Sequence, residues 1–306
     1  DTHRACRDLC RVMLKDAGFL SEKDAEWENR KRERKGLKPM EPLFTVDDAA
    51  LALRQFKGIV YKKKQKILPG VTLCLSDAGH ILGSSIIELW LDDGRKTRKL
   101  VFSGDLGRRG MPVLEDPAVI READRVVMES TYGDRLHRSW EDSLREFHDV
   151  LNHATAGKGN ILIPAFAVGR TQEILYLMAK NFRQWDLDRW QIFLDSPMAI
   201  EATRIFTQNV DLFDTEATEL WRENHKKPLL PNLQISRTPK QSMAINRIRR
   251  GAIIIAGSGM CSGGRIRHHL KHNIWRRECQ LVITGFQARG TTGRALVDGA
   301  RYIRLW

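Results

Sequence analysis

The sequence predicts an α/β protein built in two parts, and three observations carry that prediction. Residues 70–105 hold the short apolar and β-branched runs VTLCLSDA, SSIIELWLDD and KLVFSGD, the texture of an antiparallel sheet. From residue 126 onward strand-like runs alternate with helix-period stretches, as a parallel sheet covered by helices on both faces requires. With 306 residues, 42% of them hydrophobic, the chain can bury a sizeable core in one large domain or two ordinary ones. The change of texture puts the boundary near residue 133, dividing the chain into 1–133 and 134–306.

Residues 4–16 (RACRDLCRVMLKD) have the apolar spacing of an amphipathic helix. The charge run EWENRKRERKGLKP within 21–43 reads as a solvated helix or loop. Thr45 is placed to cap a helix over 45–56. In the strand-rich stretch, DDG at 92–94 marks a hairpin turn. VVMES is then a strand, and Ser139 caps a helix with Trp140, Leu144, Phe147 and Leu151 on one face. NILIPAF and QIFLDSP are strands, followed by the helices RTQEILYLMAKNF and MAIEATRIFTQ; LQISRT, AIIIAG, QLVITGF and YIRLW are four further strand candidates.

Composition bounds the function. Lys and Arg exceed Asp and Glu by 51 to 38, a net charge of +13, which favours a polyanionic partner: nucleic acid, an anionic membrane or an acidic protein. No apolar run approaches the ~18–20 residues of a membrane span, and the opening DTHRACRDLC has no signal-peptide character. The five cysteines are scattered without a CxxC pair, which argues against a zinc knuckle or a disulfide framework and suits a reducing, cytoplasmic compartment. Cys6 and Cys10 stand four residues apart and share a helix face as small apolar side chains.

Three polar residues close strands in glycine-containing frames. His80 follows VTLCLSDA between Gly79 and Gly83, Asp105 follows KLVFS between Gly104 and Gly107, and Glu129 ends VVM. Glycine lets the backbone turn sharply and lets an ion or phosphate come close. A carboxylate at Asp105 either caps the following turn or bridges two metal ions. One at the end of an apolar strand, as at Glu129, requires a partner: a metal, a histidine or backbone amides.

Together the blocks DAGHILGS, FSGDLG and ESTYGDRLH resemble three consecutive signatures of the metallo-β-lactamase hydrolases that carry an inserted β-CASP domain, a family that includes the polyadenylation endonuclease and ribonuclease J. The later blocks IPAFAVGRTQEIL, LDSPMA, GSGMCSGGR and GFQARGTTGR agree, so the resemblance covers about residues 4–306. It implies a partial metallo-β-lactamase αββα layer over 1–133 and a β-CASP domain with a mainly parallel sheet over 134–306. It further implies that His80 binds one zinc, that Asp105 bridges two, and that Glu129 orients a catalytic histidine. The reaction implied is phosphodiester hydrolysis of RNA, in which a hydroxide held between two zinc ions attacks phosphorus in line. Asp105 and Glu129 are the catalytic candidates and His80 and Asp105 the metal candidates. All three are expected to converge on a single pocket.

The later blocks suit a sugar-phosphate backbone. In GSGMCSGGR a Gly/Ser-rich loop precedes a basic helix, so Ser258, Ser262, Gly263 and Arg265 are phosphate candidates. Arg289 and Arg294 sit among three glycines. Arg170 either faces the cleft or pairs with a core carboxylate. His268 and His272 share a helix face, more suited to phosphate than to metal. His137 stands near Glu129 in sequence.

The family's HxHxDH block and its second and third β-CASP signatures, histidines in most RNA-cleaving members, have no counterpart in these residues. The chain is therefore expected to be an internal stretch that alone binds zinc weakly or not at all, since two ligands do not complete zinc's shell of about four. The expected partner is RNA, single-stranded, with a homodimer or a processing complex left open and no membrane. A DNA-processing β-CASP nuclease, a non-catalytic RNA-binding scaffold and a small-substrate hydrolase are the alternatives. Retention of both His80 and Asp105 argues against the scaffold, and the long β/α stretch after Glu129 argues against the small-substrate enzyme.

Overall fold

The computed structural model describes residues 1–223 and 230–305. The chain divides into two compact units, Asp1–Glu129 and Ser130–Trp306.

In the first unit, β1 (Thr2–His3) leads into α1 (Arg4–Glu33), followed by α2 (Val46–Arg54), β2 (Gly58–Ile59), β3 (Gln65–Leu68), β4 (Val71–Asp77), β5 (Ser85–Asp92), β6 (Thr97–Phe102) and β7 (Arg125–Val127). The helix expected over 4–16 runs on for 30 residues into the charge run as far as Glu33, because nothing up to there breaks a helix and its side chains find water, and it stops before Gly36, which takes φ +63°. His3 caps it, its Nδ1 accepting the Ala5 N–H at 3.3 Å. Thr45 and Asp48 form a capping box on α2. The short strands β1 and β2 pair in parallel.

The main sheet of this unit has the order β3-β4-β5-β6-β7. It is antiparallel from β3 to β6, as the texture of 70–105 predicts, and β7, beyond that stretch, joins in parallel to β6. The β5–β6 hairpin turns at 93–96, where Asp92 Oδ1 accepts the Gly94 N–H and Asp93 Oδ1 those of Arg95 and Lys96. Leu73 and Leu75 pack with Ile59 on one side, while Ala78, Ile86 and Val101 form a second cluster with Leu106. The apolar strand β7 is exposed along its length.

The second unit holds α3 (Trp140–Gly157), β8 (Ile161–Pro164), α4 (Arg170–Lys180), β9 (Gln191–Leu194), α5 (Pro197–Thr207), α6 (Thr215–Glu223), β10 (Leu233–Ile235), α7 (Pro239–Ile245), β11 (Ala252–Ala256), α8 (Ile266–Asn273), β12 (Gln280–Leu281) and α9 (Thr292–Val297). Its sheet, in the order β10-β9-β11-β8-β12, is parallel at every pairing. β8 and β11 are buried at every residue, which is why they read as unbroken apolar runs. Helices cover both faces. Leu151, Met178, Trp185 and Trp190 pack on one side of the sheet, and Ile245, Ile266 and Leu270 on the other. QLVITGF contributes a strand of two residues. The strand expected at YIRLW is absent over 302–305, where Tyr302 is 93% exposed and has no strand to pair with among the described residues; Trp306 lies outside them.

One charged residue lies at the heart of this unit. Asp195, directly after β9, is fully buried. Its Oδ1 accepts from Arg265 Nη1 at 2.6 Å, and its Oδ2 meets Ser242 Oγ at 2.6 Å and His269 Nε2 at 2.7 Å. Burial alone would push this carboxyl up, but its hydrogen bonds with His269, Ser242, Ser236 and Arg265 outweigh burial and hold it at about 2. A carboxyl depressed below its unfolded value stabilises the fold above that value, near 3.9. This stability is lost as pH falls from about 4 toward 2. We expect Asp195→Ala, which leaves Arg265 and His269 without their carboxylate, to cost about 3–5 kcal/mol in urea unfolding followed by the fluorescence of buried Trp185 and Trp190. Asp195→Asn should also flatten the acid limb of stability against pH; a cost under ~1 kcal/mol would contradict the role given to this cluster.

Candidate active site

In the first unit the loops after β4 and β6 carry the polar residues. Asp77 Oδ1 accepts the Gly79 N–H at 2.8 Å, closing a short turn, and burial pushes its carboxyl up. Gly79 takes φ +60°, a conformation that favours glycine. The backbone of His80 is then pinned. Its N–H and that of Ile81 both donate to Ser84 Oγ, at 3.1 and 3.2 Å, while the Tyr61 hydroxyl donates to the Ser84 carbonyl at 2.7 Å.

After β6, Gly104 turns at φ +58° and presents Asp105. The Gly107 N–H donates to Ala78 O at 2.8 Å. The two loops lie so close there that a Cβ on Gly107 would sit 1.8 Å from the Gly79 carbonyl oxygen. The contact brings His80 Nε2 to 3.9 Å from Asp105 Oδ2, with the side chains 43% and 75% exposed. Glu129 braces the same loop: its N–H donates to Ser103 Oγ at 3.1 Å and its Oε1 accepts the Leu106 N–H at 2.6 Å. Of the partners expected for Glu129, a backbone amide is one it has. His80, Asp105 and Glu129 thus meet, though on a surface open to water at Asp105 rather than deep in a pocket. Sequence reasoning passed over Asp77, Ser84 and Tyr61; the D-x-G spacing was the one visible sign of the turn.

Among the described residues, no group of three or more His, Cys, Asp or Glu is arranged to hold a metal ion. His80 and Asp105 nevertheless offer an imidazole and a carboxylate side by side. Both are donors zinc accepts, and they fit as two members of a larger shell.

In the second unit the loops that follow the strands cluster at the C-terminal edge of the parallel sheet, where ligands of such sheets bind. The 257–265 loop and the 285–294 loop are joined: Gln287 Nε2 donates to Gly259 O and the Gly293 N–H to Met260 O, both at 2.9 Å. Tyr132 packs edge-on against Phe286 and lies 4.2 Å, centroid to centroid, from the His137 ring.

Several donors expected to face phosphate are used inside the protein. Ser258 Oγ accepts the Gly263 N–H at 3.1 Å, and the Ser258 N–H donates to Gly263 O at 3.1 Å, so both residues close their own loop. The Arg265 guanidinium binds Asp195, Ser236 O and Arg237 O. Arg170 pairs with Glu173 at 2.5 Å, the core-carboxylate alternative. Arg294 reaches Asp298 with two nitrogens, at 2.7 and 2.9 Å. The reason is common to all: a half-buried guanidinium or amide takes the nearest acceptor, and here each acceptor is built in. Arg289 is exposed and forms no ion pair with a described residue, and the exposed Ser262 hydroxyl makes only a 3.3 Å contact with Met260 O. His269, fully buried, ties α8 to Asp195 and Asn246, while His268 and His272 are exposed. No helix among the described residues is long and apolar enough to cross a membrane.

Residues 171–296 match the Beta-Casp domain. The chain is 36% identical to Ribonuclease TTHA0252 of Thermus thermophilus over 87% of its own length and 60% of that protein's. It is 28% identical to Transcription termination factor FttA of Methanocaldococcus jannaschii over 99% of its length and 45% of that protein's. To the RNase J-like protein of the same archaeon it is 29% identical, over 85% of this chain and 60% of the relative. It therefore spans from under half to three fifths of the length of these relatives. The domain match, and similarity that extends through the loops of His80 and Asp105, mean that the chain belongs to the β-CASP family of metallo-β-lactamase-fold proteins.

Proposed function

We propose that this protein is a zinc-dependent phosphodiester hydrolase acting on single-stranded RNA. The observation that carries the proposal is the meeting of His80 and Asp105, braced by Glu129, in a chain similar to a protein named as a ribonuclease. In this reading His80 and Asp105 hold zinc. The metal, when bound, supplies Lewis-acid charge neutralisation and activation of water at neutral pH. The chain's own residues do the positioning. Glu129 fixes the Asp105 loop through the Leu106 amide, Ser84 fixes His80, and Arg289 with Ser262 contacts the sugar-phosphate backbone.

Expressed from its full coding sequence with zinc, the protein should cleave a labelled single-stranded RNA. Asp105→Ala should slow cleavage by at least about 100-fold, the upper end of what losing an outer partner of a metal site costs. Undiminished turnover would refute the ligand role. Single-stranded DNA of the same sequence, cut as fast as the RNA, would favour the DNA-processing alternative.

Zinc affinity is a separate test. Among the described residues no third donor joins His80 and Asp105 to complete a metal shell, so the 306-residue chain should compete poorly with a zinc-chelating dye. His80→Ala or Asp105→Ala should remove the residual affinity. Tight stoichiometric binding that survives both substitutions would exclude the pair as the site.

A further inference from the structure

We propose that the N-terminal edge of the second unit's parallel sheet is a second binding surface for single-stranded RNA, distinct from the loops at the C-terminal edge. Three segments meet there: 158–160 before β8, 246–251 before β11 and 274–279 before β12. They are knitted together. Asn160 Nδ2 donates to Ile248 O at 2.8 Å and to Asn273 Oδ1 at 3.1 Å. The Gly251 N–H donates to Gly159 O at 3.0 Å, and Arg276 Nη2 to Arg249 O at 2.6 Å. Gly159 is so close to the third segment that a Cβ on it would fall 1.6 Å from Glu278 O.

This rim carries Lys158, Arg247, Arg249, Arg250 and Arg277, all exposed. Among the described residues none of the five forms an ion pair with a carboxylate. The neighbouring acid, Glu278, is already bound by Arg276 at 2.8 and 3.0 Å. Trp275 stands in the same rim, 69% exposed. Cations without acids keep no fold together, and a large indole left in water is the informative kind of exposure. Single-stranded nucleic acid satisfies both features, because its phosphates take the charge and its bases stack on the ring. An acidic protein would answer the cations but not the indole. At ~3.3 Å per residue, strands β8 and β11 hold this rim roughly 15 Å from the C-terminal loops, so a strand of RNA can touch both only by running along the domain. The inference rests on the reading that the protein acts on RNA, and adds a binding surface at the edge of the second unit's sheet opposite its C-terminal loops.

The test is fluorescence anisotropy of a labelled oligouridylate titrated with the 306-residue chain at several salt concentrations. The combined Arg247→Gln, Arg249→Gln, Arg250→Gln variant should bind at least about tenfold more weakly. Its slope of log affinity against log salt should fall by about 2, at ~0.7 for each phosphate of a single strand left without its cation. Trp275→Ala should weaken binding by about fivefold or more. All four side chains are exposed, so circular dichroism and melting should stay unchanged. Unaltered affinity and salt slope in the combined variant would overturn the proposal. So would a loss that Trp275→Ala does not share, or equal binding of polyglutamate or of anionic phospholipid vesicles that RNA does not displace. Two readouts separate the proposals: the affinity difference measured in an Asp105→Ala background, and the cleavage assay above with Asp105 intact. If the hydrolase reading fails, the difference in affinity persists without any Asp105-dependent cleavage. If the rim reading fails, the difference vanishes while that cleavage remains.

Discussion

The candidate site of the first unit depends on a contact that admits no side chain. β4 and β6 end at the same edge of the sheet, since Asp77 pairs with Ser85 and Phe102 with Ile87, but β5 lies between them. Two inter-strand spacings put those ends about 10 Å apart, too far for a histidine and a carboxylate to share an ion. The loops close the gap by leaning over the start of β5 until Gly107 rests on the Gly79 carbonyl. The Gly107 N–H to Ala78 O bond then locks the approach. The 3.9 Å between His80 and Asp105 is therefore a backbone property first and a side-chain property second. Glu129 strengthens it by gripping the next amide of the Asp105 loop, so an ionisable residue shapes the approach through the backbone.

The second unit uses its polar residues differently. Asp195 gathers β9, α7 and α8 around one buried carboxylate, through Ser242, Arg265 and His269. Removing two charges from water is costly unless every lone pair is met, and here both oxygens are. That arrangement commits Arg265, and the neighbouring loop commits Ser258 and Gly263 to each other. A Gly/Ser-rich segment before a helix thus serves to shape its own loop, leaving exposed Ser262 and Arg289 as groups able to reach a ligand.

Much of this was legible in the sequence because the cues were periodic or local. β8 and β11 were visible as apolar runs, Thr45 and Ser139 as caps, and His80, Asp105 and Glu129 as polar residues closing strands. What failed had a non-local cause. YIRLW has strand composition but no edge to join among the described residues, and QLVITGF pairs for two residues only. The partners of Arg170, Arg265 and Arg294 were hidden for two reasons. Asp195 lies far off in sequence from Arg265, whereas Glu173 and Asp298 sit at helical spacings that signal a pair only once the helix is placed. Ser84 and Tyr61 were missed because a side chain's hydrogen bond to the backbone, accepted from an amide by Ser84 or donated to a carbonyl by Tyr61, leaves no mark in the side-chain pattern.

Net charge was equally blind to place. An excess of +13 says that cations outnumber acids, not where. The polarity of a parallel sheet sorts them. At the C-terminal edge, Arg170, Arg265 and Arg294 each have an acid, Glu173, Asp195 and Asp298. At the N-terminal edge the arginines of RIRR lie on a turn whose own polar contacts use backbone carbonyls, those of Ile248 and Arg249, and leave the guanidinium groups to solvent. Because every strand runs the same way, turns that enter strands collect on one edge and turns that leave them on the other. Each edge keeps an exception, Arg289 open at the C-terminal edge and Arg276 paired with Glu278 at the other, but the cluster of open cations lies a strand's length from the paired Arg170, Arg265 and Arg294.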